Sequence, residues 1–255
     1  SLFTPDGFEG EPVLCNEGVL ECVNIEDVWK LNLWEGDKIF FRLLDEKIPF
    51  FSLKLVYNLQ GQLECAVLNG KPMEMFDVID ESGTPTGLIK ERGVVHREGA
   101  LHATSHIWIA RENNKSGYDI LLQKRSSIKD SHPGCYDISS AGHICAGDEA
   151  LNSALRELEE ELGIAAAPEH LKEFGVQFKN YEGEFYGKPF RDRQRSVLYL
   201  YTEPVDENTL TLQESEIESV IWMDYAEVLQ AIRKNTMKHC SYEEEFCKLG
   251  KALGI

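Results

Sequence analysis

Apolar and polar residues change their spacing several times along the 255-residue chain, and the changes mark its elements. Residues 39–41 and 50–57 read as strands, and residues 58–61 read as a turn. Residues 75–80 predict a strand that ends in a turn over 81–85. Residues 106–110 and 118–123 predict a β-hairpin closed by the five-residue loop 113–117. Leu151, Ala154, Leu155, Leu158 and Leu162 recur at three- and four-residue steps, so residues 148–162 predict a helix. Gly163 stands where a helix-ending glycine belongs. Residues 197–201 predict another strand, and residues 224–234 and 241–253 predict helices. Strands and helices mixed without a regular βαβ rhythm predict an α+β fold.

A short internal repeat is visible. Residues 20–27 resemble residues 217–224, and each copy is followed by a predicted helix. On this pattern the chain divides near Lys71-Pro72-Met73. Residues 1–72 would be the tail of a module, and residues 73–255 a complete one.

Composition narrows the class. Hydrophobic residues make up 42% and charged residues 27%, enough for a buried core. Lys and Arg number 26 against 44 Asp and Glu, a net charge of -18. That balance speaks against a nucleic-acid polymer or an anionic membrane as partner. A phosphate-bearing small substrate stays compatible, because local charge can oppose the global field. A magnesium site would use some of the surplus carboxylates. No run of about 18 apolar residues predicts a membrane span. Residues 1–6 lack the basic region and apolar stretch of a signal peptide. Seven cysteines, odd in number and without a Cys-x-x-Cys pair, suit reduced thiols in a cytoplasm better than a disulfide framework. An acidic, soluble, cytoplasmic protein is expected.

The stretch from Gly142 to Ile164 carries the chemistry. On the predicted helix Glu157, Glu160 and Glu161 stand at i, i+3 and i+4, which places three carboxylates on one face. Three like charges held together repel, so a cation is expected there. Arg156 is adjacent but leaves the helix about 100° away, so it is not expected to neutralise all three. A divalent metal can, and oxygen-only ligands favour Mg²⁺ or Mn²⁺ over zinc or copper. A solvated acidic face is the alternative reading of such a run.

The spacing of the whole stretch resembles the Nudix box. That pattern is Gly-x5-Glu-x7-Arg-Glu-U-x-Glu-Glu-x-Gly-U, with U aliphatic. Gly142, Arg156-Glu157-Leu158, Glu160-Glu161 and Gly163-Ile164 match it, and Asp148 stands where the family has Glu. The resemblance implies a loop–helix–loop within an α/β/α sandwich with a mixed sheet. It implies hydrolysis of a nucleoside diphosphate linked to another group. It also implies metal ligation by Glu157, Glu160 and Glu161 with the carbonyl of Gly142, and an Arg156 that orients a carboxylate. The shorter Asp148 puts its own role as a direct ligand in doubt. The base that takes the proton of the attacking water is either a box glutamate or a later carboxylate, for which Glu214, Glu216 and Glu218 are candidates.

Features outside the box resemble the isopentenyl-diphosphate-isomerase-like branch of the Nudix superfamily. Residues 121–130 and His132-Pro133-Gly134-Cys135-Tyr136-Asp137 carry that likeness. It makes Arg125 and Lys129 candidate diphosphate contacts, since guanidinium and ammonium groups suit phosphate oxygens. His96, His102 and His143 fall near where the isomerases place metal-binding histidines. The isomerases need a cysteine where Ala141 stands, Cys145 lies after that point, and their Arg-Glu-x-x-Glu-Glu core is degraded whereas here it is intact. A hydrolase is therefore favoured over an isomerase of allylic diphosphates or a non-catalytic nucleotide-binding module. Leu33-Trp34-Glu35-Gly36-Asp37 and Pro49-Phe50-Phe51-Ser52 are similar to the C-terminal part of 8-oxo-dGTP-diphosphatase-type Nudix proteins. Residues 1–72 contain no box, so they are expected to be a partial Nudix-like segment before a complete domain at 73–255. Tyr136, Phe178, Tyr181, Phe185 and Tyr186 are candidates to stack on a base. The expected partner is a small diphosphate compound, and a homodimer stays open.

Overall fold

The computed structural model describes residues 9–10, 16, 21–115, 117–129, 131–185 and 188–255. In chain order the first elements are α1 (Glu35–Asp45), β1 (Leu53–Tyr57), β2 (Leu63–Leu68), β3 (Lys71–Pro72), β4 (Met75–Ile79), β5 (Pro85–Glu91) and α2 (Arg92–Glu98). Then follow β6 (His102–Glu112), β7 (Tyr118–Arg125), β8 (Tyr136–Asp137), β9 (Ser140–His143) and α3 (Ala150–Leu162). The last are β10 (Leu171–Phe185), β11 (Lys188–Tyr201), β12 (Ile217–Asp224), α4 (Tyr225–Lys234) and α5 (Glu243–Leu253).

The main sheet runs β10-β11-β6-β7-β12, with β9 on β6 and β8 on β7. It is mixed, because β11 and β6 are parallel while β6 and β7 are antiparallel. Alternation along β6 decides how it is covered. Ile107 and Ile109 join a core with Ala154, Leu158 and Leu162 of α3. Trp108 and Ala110 join one on the other face with Val228, Ile232, Phe246 and Leu249 of α4 and α5. Both faces are therefore apolar, and the result is the expected α/β/α sandwich of α+β class. β6 pairs with β9 at residues 104–107 and with β7 at 109–112. The sheet splits between β9 and β7, and a cleft opens there.

A third cluster joins Ile39, Leu43, Leu63 and Ala66 to Met75 and Val94, so residues on both sides of Lys71-Pro72-Met73 share one small core. Polar contacts reinforce it. Arg42 pairs with Glu91 at 3.0 Å, Lys38 with Glu98 at 2.8 Å and Arg97 with Asp45 at 3.0 Å. The guanidinium of Arg97 also lies 3.6 Å from the ring centre of Trp29.

Several expected elements are present: the strand and turn at 75–85, the hairpin at 106–123, the strand at 197–201 and the helices α4 and α5. Asn113 donates its N–H to Gly117 O at 2.9 Å across the hairpin loop, whose Ser116 lies outside the described residues. Gly163 closes α3 with a φ of 72°, a left-handed value that glycine adopts without strain. Residues 39–41, expected as strand, lie inside α1. There Ile39 and Leu43, one turn apart, are buried while Phe40 and Phe41 stay partly exposed, so burial follows the helical period. β1 starts at Leu53 rather than at residue 50. The N–H of Ser52 goes to Asn69 Oδ1 at 2.8 Å, and Phe50 projects fully into solvent. Of the two repeat copies, residues 217–224 form β12, whereas residues 21–27 form no strand and Leu20 lies outside the described residues. No helix among the described residues is long and apolar enough to cross a membrane.

Candidate functional site

The cleft between β9 and β7 encloses about 310 Å³ and is mostly polar in its lining. One wall is built from β9 and α3. Gly142 in β9 faces Glu157 so closely that a Cβ would overlap the Glu157 carboxyl, so any larger residue would have to displace that side chain. The three helix carboxylates are graded in depth. Glu160 is exposed, Glu157 is partly buried and Glu161 is only 4% exposed among the apolar residues of α3. Glu161 accepts the N–H of Ala141 at 3.2 Å. Burial pushes its carboxyl up to about 8, and the neighbouring Glu157 adds to the rise. Burial also raises the Glu157 carboxyl, against the pull of Arg156. Arg156 lies 2.9 Å from Glu157 and 3.0 Å from Glu160. Its length carries it back onto two of the three carboxylates, and among the described residues Glu161 has no cation in an ion pair with it. A buried carboxyl short of positive charge, oxygen donors only and a glycine cradle form a set that a hard divalent cation would fit.

Deeper in the cleft, α2, β6 and β9 bring His96, His102 and His143 together, with ligand nitrogens within 4.8 Å of one another. Burial holds His96 down at about 3 and lowers His102 and His143 as well, so all three imidazoles are uncharged at neutral pH. Asp192 Oδ1 lies 3.7 Å from His96 and 3.8 Å from His102, and its Oδ2 pairs with Lys179 at 3.1 Å. His102 Nε2, His143 Nε2 and Asp192 Oδ1 are buried without a hydrogen-bond partner among the described residues. Phe76 stacks on His102 and His143 and Phe190 stacks on His96, so ring packing orients the set. This is a second donor group, of nitrogens, where three neutral imidazoles could bind a borderline transition metal.

The opposite wall carries the cationic candidates. Arg125 donates to Asp137 at 3.1 Å and to Ser131 O at 3.1 and 3.2 Å, bracing the loop before β8. Lys129 pairs with Glu216, and both line the cleft. Of the other late carboxylates, Glu218 is held by Lys124 at 2.6 Å on the surface and Glu214 is exposed; neither lines the cleft.

The NUDIX domain family profile matches residues 100–242, more than half of the chain. The chain belongs to the Nudix family. It is 40% identical over 175 residues to Nudix hydrolase 3 of Arabidopsis thaliana, a match that covers 67% of this chain and 22% of that protein. It is 34% identical over 155 residues to a Nudix hydrolase of Clostridium acetobutylicum, covering 61% of this chain and 72% of the other. A crystal structure of a Deinococcus radiodurans protein superposes with a TM-score of 0.49 at 14% identity, over 69% of this chain and 98% of that one. The chain spans about a fifth of the length of the Arabidopsis protein and 72% of the Clostridium one.

In this Nudix protein Gly142, Arg156, Glu157, Glu160 and Glu161 converge on the cleft together with Arg125 and Lys129. Asp148 does not; it is exposed in the loop before α3. Tyr136, Phe178 and Tyr181 lie outside the lining, where Phe190 and Tyr242 stand instead; Tyr136 packs against the α5-side core and Phe178 is 48% exposed. The Phe185 side chain and Tyr186 lie outside the described residues. Sequence reasoning missed His106, Lys179, Asp192 and Glu245. One signal was available, since His102, Thr104 and His106 alternate with period two just before and into the strand expected at 106–110.

Proposed function

We propose that this Nudix hydrolase cleaves a diphosphate bond in a nucleoside diphosphate linked to another group, by water attack at phosphorus, with Mg²⁺ or Mn²⁺. The observation that carries the reading is the convergence of Gly142, Glu157, Glu160 and Glu161 with one guanidinium for three carboxylates. These residues would hold the cation, which when bound neutralises phosphate charge and makes water a better nucleophile. Arg156 keeps the Glu157 and Glu160 carboxylates in place, and the Ala141 N–H fixes that of Glu161. Lys129 and Arg125 would meet the diphosphate oxygens, with Lys129 leaving Glu216 as substrate enters. Glu216 is then the late carboxylate best sited to take a proton from water.

The histidine set supports a relation to the isomerase-like branch, and metal analysis of the purified protein would show whether it is loaded. Ala141 and the intact Arg-Glu-x-x-Glu-Glu core favour hydrolysis over isomerisation. The net charge of -18 and the free cysteines among the described residues support a cytoplasmic enzyme of small diphosphates, without a nucleic-acid or membrane partner. Residues 1–72 lack a box, and those of α1 would act by packing against α2 rather than by chemistry. The reading is tested with a panel of nucleotide sugars, dinucleotides, nucleoside triphosphates and coenzyme A, with Mg²⁺ or Mn²⁺. Metal-dependent nucleotide or phosphate release supports it. Proton exchange on isopentenyl diphosphate would install the isomerase, and binding without metal or turnover would install a binding module.

A further inference from the structure

One face of β6 carries His102, Thr104, His106 and Trp108 in succession, and it passes from cleft to core between the last two. Trp108 is fully buried and meets Phe246 of α5 edge to face at 5.4 Å between ring centres. His106 keeps 15% of its side chain accessible and lines the cleft. Over both stands Glu245, in the first turn of α5 and 2% exposed. Its Oε1 accepts from His106 Nδ1 at 2.9 Å and from Trp108 Nε1 at 2.8 Å.

A carboxylate at this depth is costly to desolvate. The indole N–H alone would be served by an uncharged acceptor. The second partner explains the charge: a carboxylate only accepts, so it fixes the hydrogen of His106 on Nδ1 through a charge-assisted bond. With Nδ1 committed to Glu245 and the side chain lining the cleft, Nε2 is the ring nitrogen left for a ligand. His106 also pairs across the ladder with Ala141, whose N–H holds Glu161, so it stands one strand from the box carboxylates and on the sheet face opposite α3.

We propose that Glu245 is a positioning residue that holds His106 so that Nε2 hydrogen-bonds the group carried on the diphosphate, a contact that sets affinity and specificity. The proposal rests on the hydrolase reading above. It makes the α5-side wall a recognition surface, separate in role from the carboxylates of α3.

The test uses the full chain with ADP-ribose and Mg²⁺. His106→Phe and Glu245→Leu each raise KM about tenfold with kcat nearly kept, the pattern of a lost binding contact. The double variant is no worse than either single one, because the two residues act as one unit. Glu245→Gln, whose amide oxygen can accept both N–H groups, recovers most of the loss and also covers the case in which the leucine variant folds poorly. An unchanged KM in His106→Phe, or a further full loss from Glu245→Leu in the His106→Phe background, overturns the proposal. ¹⁵N NMR supplies a readout free of turnover. His106 is expected as the Nδ1–H form in the wild type, with Nε2 shifting on addition of ADP-ribose, and as a tautomer mixture in Glu245→Leu. A wild type that turns over no member of the panel sinks the hydrolase reading alone, and the Nε2 signal still decides this proposal: an Nε2 unmoved by ADP-ribose and by every panel compound, or an unchanged tautomer in Glu245→Leu, overturns it.

Discussion

Glu161 shows the cost, for a single residue, of the proposed cation site. A glutamate among Ala154, Leu158 and Leu162 occupies a position where a neutral side chain would sit more easily. Glu161→Gln keeps an oxygen for the Ala141 N–H and removes the buried charge. Its denaturant midpoint without metal should therefore lie within about 1 kcal/mol of wild type or above it. Its metal-dependent turnover should fall at least about a hundredfold, since a donor to the cation is weakened. Gly142→Ala makes the complementary point. The added methyl overlaps the Glu157 carboxyl, so it should cost about 1–3 kcal/mol of stability as an overpacked site and displace Glu157. Equal stability and equal kcat/KM in that variant would show that the carboxyl steps aside freely.

At the scale of elements, α2 links the two parts of the chain. It carries Arg92 and His96 into the cleft, and α1 holds it from behind through Arg42, Lys38 and the shared apolar cluster. Glu91 accepts two guanidinium bonds from Arg42 and also takes the N–H of Val94, so it caps α2 while buried. Arg42→Leu leaves that carboxylate without its cation and should cost about 3 kcal/mol, read as a lower midpoint in chemical unfolding. The Lys38–Glu98 contact gives a pH signature. Burial works against the charge of Glu98, but hydrogen bonds from Lys38 and Lys90 hold its carboxyl below the ordinary 4.5. Burial likewise opposes the Lys38 ammonium, which Glu98 and Glu35 nevertheless keep above the ordinary 10.5. A lowered carboxyl stabilises above its unfolded value and is lost as pH falls through the folded one; a raised ammonium stabilises below its unfolded value and is lost as pH rises. Their contribution is thus complete between about 4.5 and about 10.5. Thermal melts of Lys38→Met should lie below wild type at pH 7, and the gap should close in acid once Glu98 is protonated. A gap that persists in acid would assign the effect to packing of the lysine stem.

At the scale of the whole molecule, what could be read from sequence was what is local. Glu157, Glu160 and Glu161 declare themselves within one helical turn, and Gly142 through its fixed distance from them. Residues 39–41 misled because a short aromatic run carries no period of its own; Leu43 one turn on from Ile39, and the sheet beneath, make it helix. The His106–Glu245 contact joins residues 139 apart in sequence, and Lys179 meets Asp192 only across the β10–β11 ladder. No local pattern announces such pairs, because the fold alone brings them together. The central claim is that the three box carboxylates hold the cation for water attack at phosphorus. Hydrolysis, in ¹⁸O-water, of a diphosphate compound that the wild type cleaves tests it most directly. Wild type with Mg²⁺ should place one ¹⁸O in one phosphate product, need the metal, and lose the reaction in Glu161→Gln. Products free of label, or full turnover by Glu161→Gln or without divalent metal, would contradict it.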